Sequence, residues 1–325
     1  MNENVALGLE VSEESMGADL KGRSLDSLSH LTREEIEQIL KTAVALKSQL
    51  LRGEEHPLLK GKTLAMIFEK PSTRTRVSFE VGMWQLGGYG LYLNASDLQL
   101  DRGETIGDTA QVLSRYVNGI MARVFAHQTI LDLVKYSKVP VINGLSDFTH
   151  PCQGLSDLFT IFEKKGRLSG LKLAYVGDAN NVAHSLLYGC SKVGMDITLG
   201  SPKGYEPNPR VVWEAKEEAK RSGCKVRVTN DPKEAVRGAD IIYTDVWTSM
   251  GREKEREKRV KILKPYQVNA KLVKEAKQDY LFMHCLPAHR GEEVTNEVAD
   301  SKNSVIFDQA ENRLHAQKAL LALIL

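Results

Sequence analysis

The sequence has no long apolar run, no long basic run and no paired spacing of cysteines, and each absence excludes a class of protein. A chain without about 20 consecutive apolar residues is not expected to span a membrane. The 44 Lys and Arg residues nearly balance the 42 Asp and Glu residues, and no stretch is purely basic, so a nucleic-acid partner is not expected. Cys152, Cys190, Cys224 and Cys285 lie far apart and no signal-like apolar segment accompanies them, which predicts free thiols in a reducing cytoplasm.

Length and composition are those of a globular protein with more than one domain. A chain of 325 residues exceeds the usual size of one compact unit, and 42% hydrophobic with 26% charged residues is sufficient to form ordinary cores. Residues 1–19 carry acidic side chains and no arginine, the opposite of a transit peptide, and are interpreted as a flexible extension.

Strand-like apolar runs alternate with helical patterns along both halves of the chain. Thr32 and Glu35 form a capping-box pattern that predicts the first helix. The expected strands are residues 63–68, 91–93, 120–124 and 139–142 in the first half, and 171–176, 196–199, 225–228, 241–243 and 281–283 in the second. The pattern predicts an α/β fold with two open, doubly wound domains, each with a mainly parallel sheet flanked by helices. A last helix is expected over residues 308–325.

In such sheets the ligand lies beyond the carboxyl ends of the strands, so the loops after strands are the candidate sites. Residues 69–76 follow a strand and open a helix with Ser72, Thr73, Arg74, Thr75 and Arg76. Free amides at a helix start, together with hydroxyls and two arginines, are typical of a phosphate cradle. The alternative is an ordinary serine cap beside solvated arginines.

A second loop contains His150 and Gln153, three residues apart, where both side chains can reach one carbonyl from a first helical turn. The alternative is a capping histidine with a surface glutamine. The third loop, residues 284–287 (His-Cys-Leu-Pro), puts Cys285 at a strand end, where it could be a nucleophile, a substrate contact or a buried small residue. A zinc site is a weak interpretation of this loop, because neighbouring strand residues point to opposite faces.

The fourth loop, residues 245–251, places Asp245 at a strand tip, which suits a substrate ammonium, and ends in a Ser-Met-Gly sequence able to move. The mixed-sign run that follows, residues 252–264, is interpreted as a solvated face without a role. Residues 177–182 follow a strand as a dinucleotide fingerprint would, but they lack its later glycines, so a nicotinamide cofactor is not expected.

Taken together, residues 72–76, 150–153, 245–251 and 284–287 resemble the signature motifs of the carbamoyltransferase superfamily, from about residue 20 to the end of the chain. The last two motifs resemble its ornithine branch. The resemblance implies transfer of the carbamoyl group of carbamoyl phosphate to the side-chain amine of L-ornithine, without metal or cofactor, in a trimer or an assembly of trimers. It also implies a carbamoyl-phosphate domain over residues 20–152, onto which helix 308–325 packs, and an ornithine domain over residues 153–307.

The resemblance also assigns roles to particular residues. Carbamoyl phosphate would be held by Ser72, Thr73, Arg74, Thr75, Gln99, Arg123, His150, Gln153, Cys285, Leu286 and Arg313, with Gln99 reaching a neighbouring subunit's site. Ornithine would be held by Asn181, Asp245, Ser249 and Met250. Arg123, Thr75 and His150 are the expected oxyanion donors, and Cys285 is expected beside the reacting amine.

Other functions stay open on the sequence alone. The nearest are carbamoyltransferases acting on putrescine, N-acetylornithine or aspartate. A sensor of a phosphorylated metabolite would use the Arg74 loop without catalysis. A cysteine hydrolase would use Cys285 as nucleophile with His150 or His289 as base, although no third orienting residue is evident.

Overall fold

Two parallel sheets, one in each half of the chain, organise the computed structural model, which describes residues 19–99, 103–248 and 253–325. The first sheet has the order β2-β1-β3-β4, and the second has the order β7-β6-β5-β8-β9. The strands are β1 (Thr63–Phe68), β2 (Tyr89–Asn94), β3 (Gly119–Arg123), β4 (Val141–Leu145), β5 (Lys172–Val176), β6 (Asp196–Gly200), β7 (Val226–Thr229), β8 (Ile241–Tyr243) and β9 (Leu281–Met283). All neighbouring strands run parallel, which confirms the predicted fold class.

Helices cover both faces of each sheet, as parallel crossovers require. The helices are α1 (Arg33–Leu51), α2 (Thr73–Gln85), α3 (Ile106–Leu113), α4 (His127–Tyr136), α5 (Pro151–Lys165), α6 (Asn181–Val193), α7 (Pro209–Ser222), α8 (Pro232–Val236), α9 (Arg256–Leu263), α10 (Ala270–Val273), α11 (Asn296–Ala299) and α12 (Ile306–Ile324). None of the described helices combines the length and apolar composition needed to cross a membrane.

The predicted boundaries shift where local chemistry overrides the apolar pattern. The capping box at Thr32 and Glu35 forms as expected and begins α1. The strand predicted over 139–142 lies instead at Val141–Leu145, because Pro140 has no N–H for the ladder and contributes only its carbonyl, to Ile120 N at 2.9 Å. The extension predicted over residues 1–19 lies outside the described residues, apart from Asp19.

Helix α12 is buried around most of its circumference, between α1, α2 and α5. Its polar side chains therefore find partners inside the protein. Gln317 Nε2 donates to Ser78 Oγ on α2 at 2.7 Å, and Asn312 Nδ2 donates to Thr160 Oγ1 on α5 at 3.1 Å. This packing buries Arg313 beside Thr75 of α2 and Gln153 of α5.

Lys318 is a buried cation on α12 whose partner is a neutral ring. Its side chain is fully buried, and its Nζ lies 2.9 Å from His56 Nε2. The other ring nitrogen, His56 Nδ1, lies 3.1 Å from the carbonyl oxygen of Glu54 and donates to it, so Nε2 accepts from the lysine. Burial lowers the pKa of Lys318 from 10.5 to about 8.

The Lys318→Met substitution should raise the free energy of unfolding at pH 7. At pH 10.5 the variant should no longer be more stable than the wild-type protein. Lowering the pKa from 10.5 to about 8 costs the folded state about 3 kcal/mol at neutral pH, and the lost hydrogen bond offsets about 1 kcal/mol, which leaves a gain of about 2 kcal/mol. The unfolded lysine binds more protons between pH 8 and 10.5, so wild-type stability rises through that window and the variant's does not. Urea unfolding at pH 7 and pH 10.5 measures the difference.

Lys47→Met is the matched control, because Lys47 Nζ forms an ion pair with Glu163 at 2.7 Å. Its removal should bring no gain at either pH. A Lys318→Met variant destabilised equally at both pH values would contradict the assignment.

Candidate active site

The start of α2 forms a polar cradle at the carboxyl end of β1. Ser72 precedes the helix, and its hydroxyl accepts a hydrogen bond from Thr75 N at 3.2 Å. The first-turn amides of α2 and the half-buried Arg74 therefore surround a point where negative charge is stabilised. Arg76 is not part of this cradle: it pairs with Glu80 at 3.1 Å and stacks on the Tyr92 ring, so the prediction of two arginines at the anion is wrong for this one.

Two further arginines converge on the cradle from other elements. Arg123 ends β3, and its Nη1 lies 3.4 Å from Thr75 Oγ1. Arg313 Nη2 on α12 lies 3.4 Å from the same oxygen. Burial, and then the charges of Arg313 and Arg74, lower the pKa of Arg123 to about 10, and its buried Nε has no partner among the described residues. Such a concentration of cations is costly unless an anion enters.

His150 and Gln153 lie in the first turn of α5, facing Arg313. Arg313 Nη1 donates to Gln153 Oε1 at 2.7 Å and lies 3.5 Å from His150 Nε2. Burial, and then the charges of Arg313, Arg123 and Arg74, hold the pKa of His150 well below its usual range, so the ring is neutral. His150 occupies the cap position but makes no capping hydrogen bond, and its buried Nδ1 has no described partner and can donate to a ligand.

Asp157, which the sequence analysis did not single out, joins this cluster to the second sheet. Its Oδ1 accepts from Gln153 Nε2 at 2.7 Å and from Gln309 Nε2 at 2.8 Å. Gln309 Oε1 in turn accepts from His284 N at 2.8 Å. Burial raises the pKa of Asp157 to about 7, because its effect is larger than that of the hydrogen bonds, which lower the pKa. The carboxyl group thereby fixes the amide orientation of Gln153.

The second half contributes a carboxylate and a thiol. Asp245, two residues beyond β8, accepts from Asn180 Nδ2 at 2.6 Å and from Cys285 Sγ at 3.0 Å. Burial, and then Asp245, raise the pKa of Cys285 well above its usual range, so the thiol stays protonated. The charge of nearby Arg74 opposes this rise in the pKa of Cys285, so the thiol lies on the side of the second half that is near the cradle.

A cysteine hydrolase is poorly supported by this arrangement. A nucleophilic cysteine needs a lowered pKa or a hydrogen-bonded base. In the described part of the chain no histidine forms a hydrogen bond with Cys285 Sγ, and the thiol donates instead to a carboxylate.

The remaining predicted residues make other contacts, make no described contact with the cradle or lie outside the described residues. Asn181 Nδ2 donates to the carbonyl oxygen of Ser146 at 2.6 Å, and its neighbour Asn180 makes the contact with Asp245. Leu286, at a left-handed φ of 58°, follows Cys285 and is half-buried. Gln99 is exposed beside a cavity of about 200 Å³ lined also by Leu98 and Glu104, and makes no described hydrogen bond to the cradle. Ser249 and Met250 lie outside the described residues.

The mixed-sign run after residue 252 is not wholly a solvated face. Arg259 on α9 is buried, pairs with Asp178 and donates to the carbonyl oxygen of Trp247. The interpretation without a role is therefore wrong for Arg259, which ties α9 to the loop after β5. The sequence pattern could not distinguish Arg259 from its exposed neighbours, because they too are charged residues of alternating sign.

Asp245, His284 and Cys285 are close enough to be considered as metal ligands. Their polar atoms are already used: Asp245 accepts from three donors, and His284 Nδ1 accepts from Leu286 N at 2.9 Å while its Nε2 lies 3.2 Å from Glu293 Oε1. These contacts are satisfied without a cation.

Comparison with known families covers nearly the whole chain. Residues 23–163 match the family model of the carbamoyl-P binding domain of aspartate/ornithine carbamoyltransferase. Residues 169–324 match the model of the Asp/Orn binding domain of the same family.

Individual relatives agree with these matches. The chain is 64% identical to an ornithine carbamoyltransferase of Thermococcus kodakarensis, an alignment that covers 95% of this chain and 98% of that one. It is 62% identical, with the same coverages, to an anabolic ornithine carbamoyltransferase of Pyrococcus furiosus. A solved structure of ornithine carbamoyltransferase from Pyrococcus furiosus superimposes with a TM-score of 0.93 and covers 95% of this chain and 98% of that one.

Proposed function

Because the chain belongs to the aspartate/ornithine carbamoyltransferase family, we propose that its cleft transfers the carbamoyl group of carbamoyl phosphate to the side-chain amine of L-ornithine. The products are L-citrulline and phosphate. The observation that carries the proposal is the convergence of Arg123, Arg313 and Thr75 opposite the Asp245–Cys285 pair. An anion site and an ammonium site then share one cleft.

Carbamoyl phosphate binds with its phosphate at the start of α2. The amides of the first turn, the hydroxyls of Ser72 and Thr73, and the guanidinium of Arg74 neutralise the dianion. Arg313, braced by Gln317 Oε1 at 3.0 Å and Gln153 Oε1 at 2.7 Å, completes the site. This clustered charge also favours the departing phosphate.

The carbamoyl oxygen points toward Arg123, Thr75 and His150. Attack by the ornithine amine forms a tetrahedral intermediate whose oxyanion needs donors held in place beforehand. The Nδ1–H of neutral His150 and the unpartnered Nε–H of Arg123 are available to it. Gln153, oriented by Asp157, receives the carbamoyl amide.

Ornithine lies across the cleft with its amino-acid ammonium at Asp245. Asn180 and Cys285 hold that carboxylate in place. Asn181, Ser249 and Met250 remain the further contacts that the family resemblance implies for ornithine. Two substrates held at attack distance in this cleft react as though they were one molecule.

Catalytic assay of the purified protein tests the proposal. Incubation with carbamoyl phosphate and ornithine should yield citrulline and phosphate in equal amounts. Putrescine, N-acetylornithine and aspartate should each react at under about 1% of the rate, since none offers the same ammonium and side-chain amine. The putrescine alternative draws no support from the relatives compared above. Phosphate binding without citrulline would instead favour a metabolite sensor.

Cys285→Ala should raise the KM for ornithine about tenfold and leave turnover measurable. The thiol orients Asp245 through one hydrogen bond to a charged acceptor, and such a bond contributes about 1.5 kcal/mol. Steady-state kinetics at saturating carbamoyl phosphate measures the change. Mass spectrometry that finds a covalent carbamoyl adduct on Cys285 would contradict it.

The larger organisation follows the same proposal. Residues 20–152 bind carbamoyl phosphate with helix 308–325 packed onto them, and residues 153–307 bind ornithine. Exposed apolar side chains on α2 and the edge strand β2, Val77, Trp84 and Tyr89, support a trimer interface on this side of the first sheet. The exposed Gln99 would reach the neighbouring site there.

The free cysteines support a cytoplasmic enzyme, and the anabolic relative supports the biosynthetic direction.

A further inference from the structure

The turn that follows the Cys285 loop in the chain brings together three potential metal ligands that the proposed reaction does not use. His289, Glu292 and Glu293 each offer one ligand atom, and these atoms all lie within 4.8 Å of one another. Gly291, at a φ of 92°, forms the turn, in which Glu292 N donates to the carbonyl oxygen of His289 at 2.9 Å. The turn thus presents a ring nitrogen and two carboxylates on one side.

Unsatisfied oxygens distinguish this cluster from an ordinary acidic turn. Glu293 is completely buried, and its Oε1 accepts from His289 N while lying 3.2 Å from His284 Nε2. Its Oε2 is buried without a partner in the described chain, and so is Oε2 of Glu292. Two neighbouring carboxylates with free, buried oxygens repel each other unless a cation or a shared proton lies between them.

The charged groups near this cluster do not neutralise both carboxylates. Arg256 pairs with Glu292, but this arginine is 61% exposed and contacts Oε1. His284 Nδ1 accepts from Leu286 N, so its Nε2 donates to Glu293 as a neutral ring and supplies no compensating charge. The exposed ring of His289 gives access from solvent.

We propose that His289, Glu292 and Glu293 bind one divalent transition-metal ion of the zinc or cobalt type. One imidazole and two carboxylates suit these ions better than magnesium or calcium, which prefer all-oxygen sites. His284 Nε2 donates a hydrogen bond to Glu293 without contacting the ion, and metal-binding carboxylates commonly have such a donor. Because His284 also fixes Leu286 N, the ion would brace the turn that carries Cys285.

Cobalt titration of the full-length, chelator-treated protein tests the site. Co²⁺ should bind at one ion per chain with visible d–d absorption and without a thiolate-to-metal charge-transfer band. His289→Ala and Glu292→Gln should each weaken binding at least about tenfold. These partly exposed residues are chosen so that the fold survives. Zn²⁺ should also raise the Tm of the wild-type protein more than that of either variant.

Glu297→Gln, an exposed acidic change at the start of α11, is the matched control and should leave the titration unchanged. Three results would overturn the proposal: no binding, binding unaffected by both ligand variants, or a charge-transfer band, which would locate the ion at Cys285.

Discussion

Arg123→Met is expected to lower kcat by about 10²–10³-fold without destabilising the protein, because it removes a preorganised oxyanion donor. Among the described side chains the guanidinium forms a hydrogen bond only with Thr75 Oγ1, and burial and the charges of Arg313 and Arg74 lower its pKa. Removing a desolvated, poorly paired charge should leave the Tm unchanged or raise it. Activity assays combined with thermal unfolding separate the two effects.

Arg76→Met is the matched control for this change. It removes the same side chain from the helix that forms the cradle, but Arg76 pairs with Glu80 and stacks on Tyr92. The control should keep kcat within about threefold of wild type, since surface ion pairs contribute about 0–1 kcal/mol. Loss of kcat accompanied by an equal loss in the control, or by a clear fall in Tm, would refute the role given to Arg123.

Asp245→Asn is expected to raise the KM for ornithine about 100-fold and to leave the KM for carbamoyl phosphate nearly unchanged. Loss of one partner of a buried, hydrogen-bonded charge pair costs about 3 kcal/mol, and this carboxylate is the proposed partner of the ornithine ammonium. The same change should lower the pKa of Cys285, because Asp245 raises it. Thiol alkylation would then begin at lower pH, which kinetics with an alkylating reagent can measure.

Asp240→Asn controls for the loss of a buried carboxylate beside the same strand. Asp240 precedes β8, whereas Asp245 follows it, and Asp240 pairs with Lys277 at 2.6 Å away from the cleft. This variant should lose stability and keep its ornithine KM. If Asp245→Asn impaired both substrates equally, Asp245 would be acting on the fold and not on ornithine.

The sequence predicted the sheets and the loops at their ends because both depend on short-range patterns. Apolar runs separated by helical periods define parallel strands. Such strands bring Thr75 and Arg123 to the carboxyl edge of the first sheet and Asp245 to the carboxyl edge of the second. The choice between adjacent Asn180 and Asn181 could not be predicted, since it depends on which residue caps α6.

Buried helices were harder to interpret for a physical reason. Helices α5 and α12 are covered on most sides, so they lack the polar face that normally reveals orientation. Asp157 and Gln309 therefore resembled surface residues in the sequence, although they connect the two halves of the site. A polar residue in such a helix can be assigned only once its neighbours are known.

A crystal structure with a non-reactive compound that joins a phosphonate to the side-chain nitrogen of ornithine tests the account most directly. The phosphonate should lie on the first-turn amides of α2 beside Arg74. The carbonyl oxygen of the compound should lie within hydrogen-bond distance of Arg123 and His150, and the ammonium of its ornithine part should contact Asp245. A compound bound outside this cleft, or with its two ends reversed, would contradict the account.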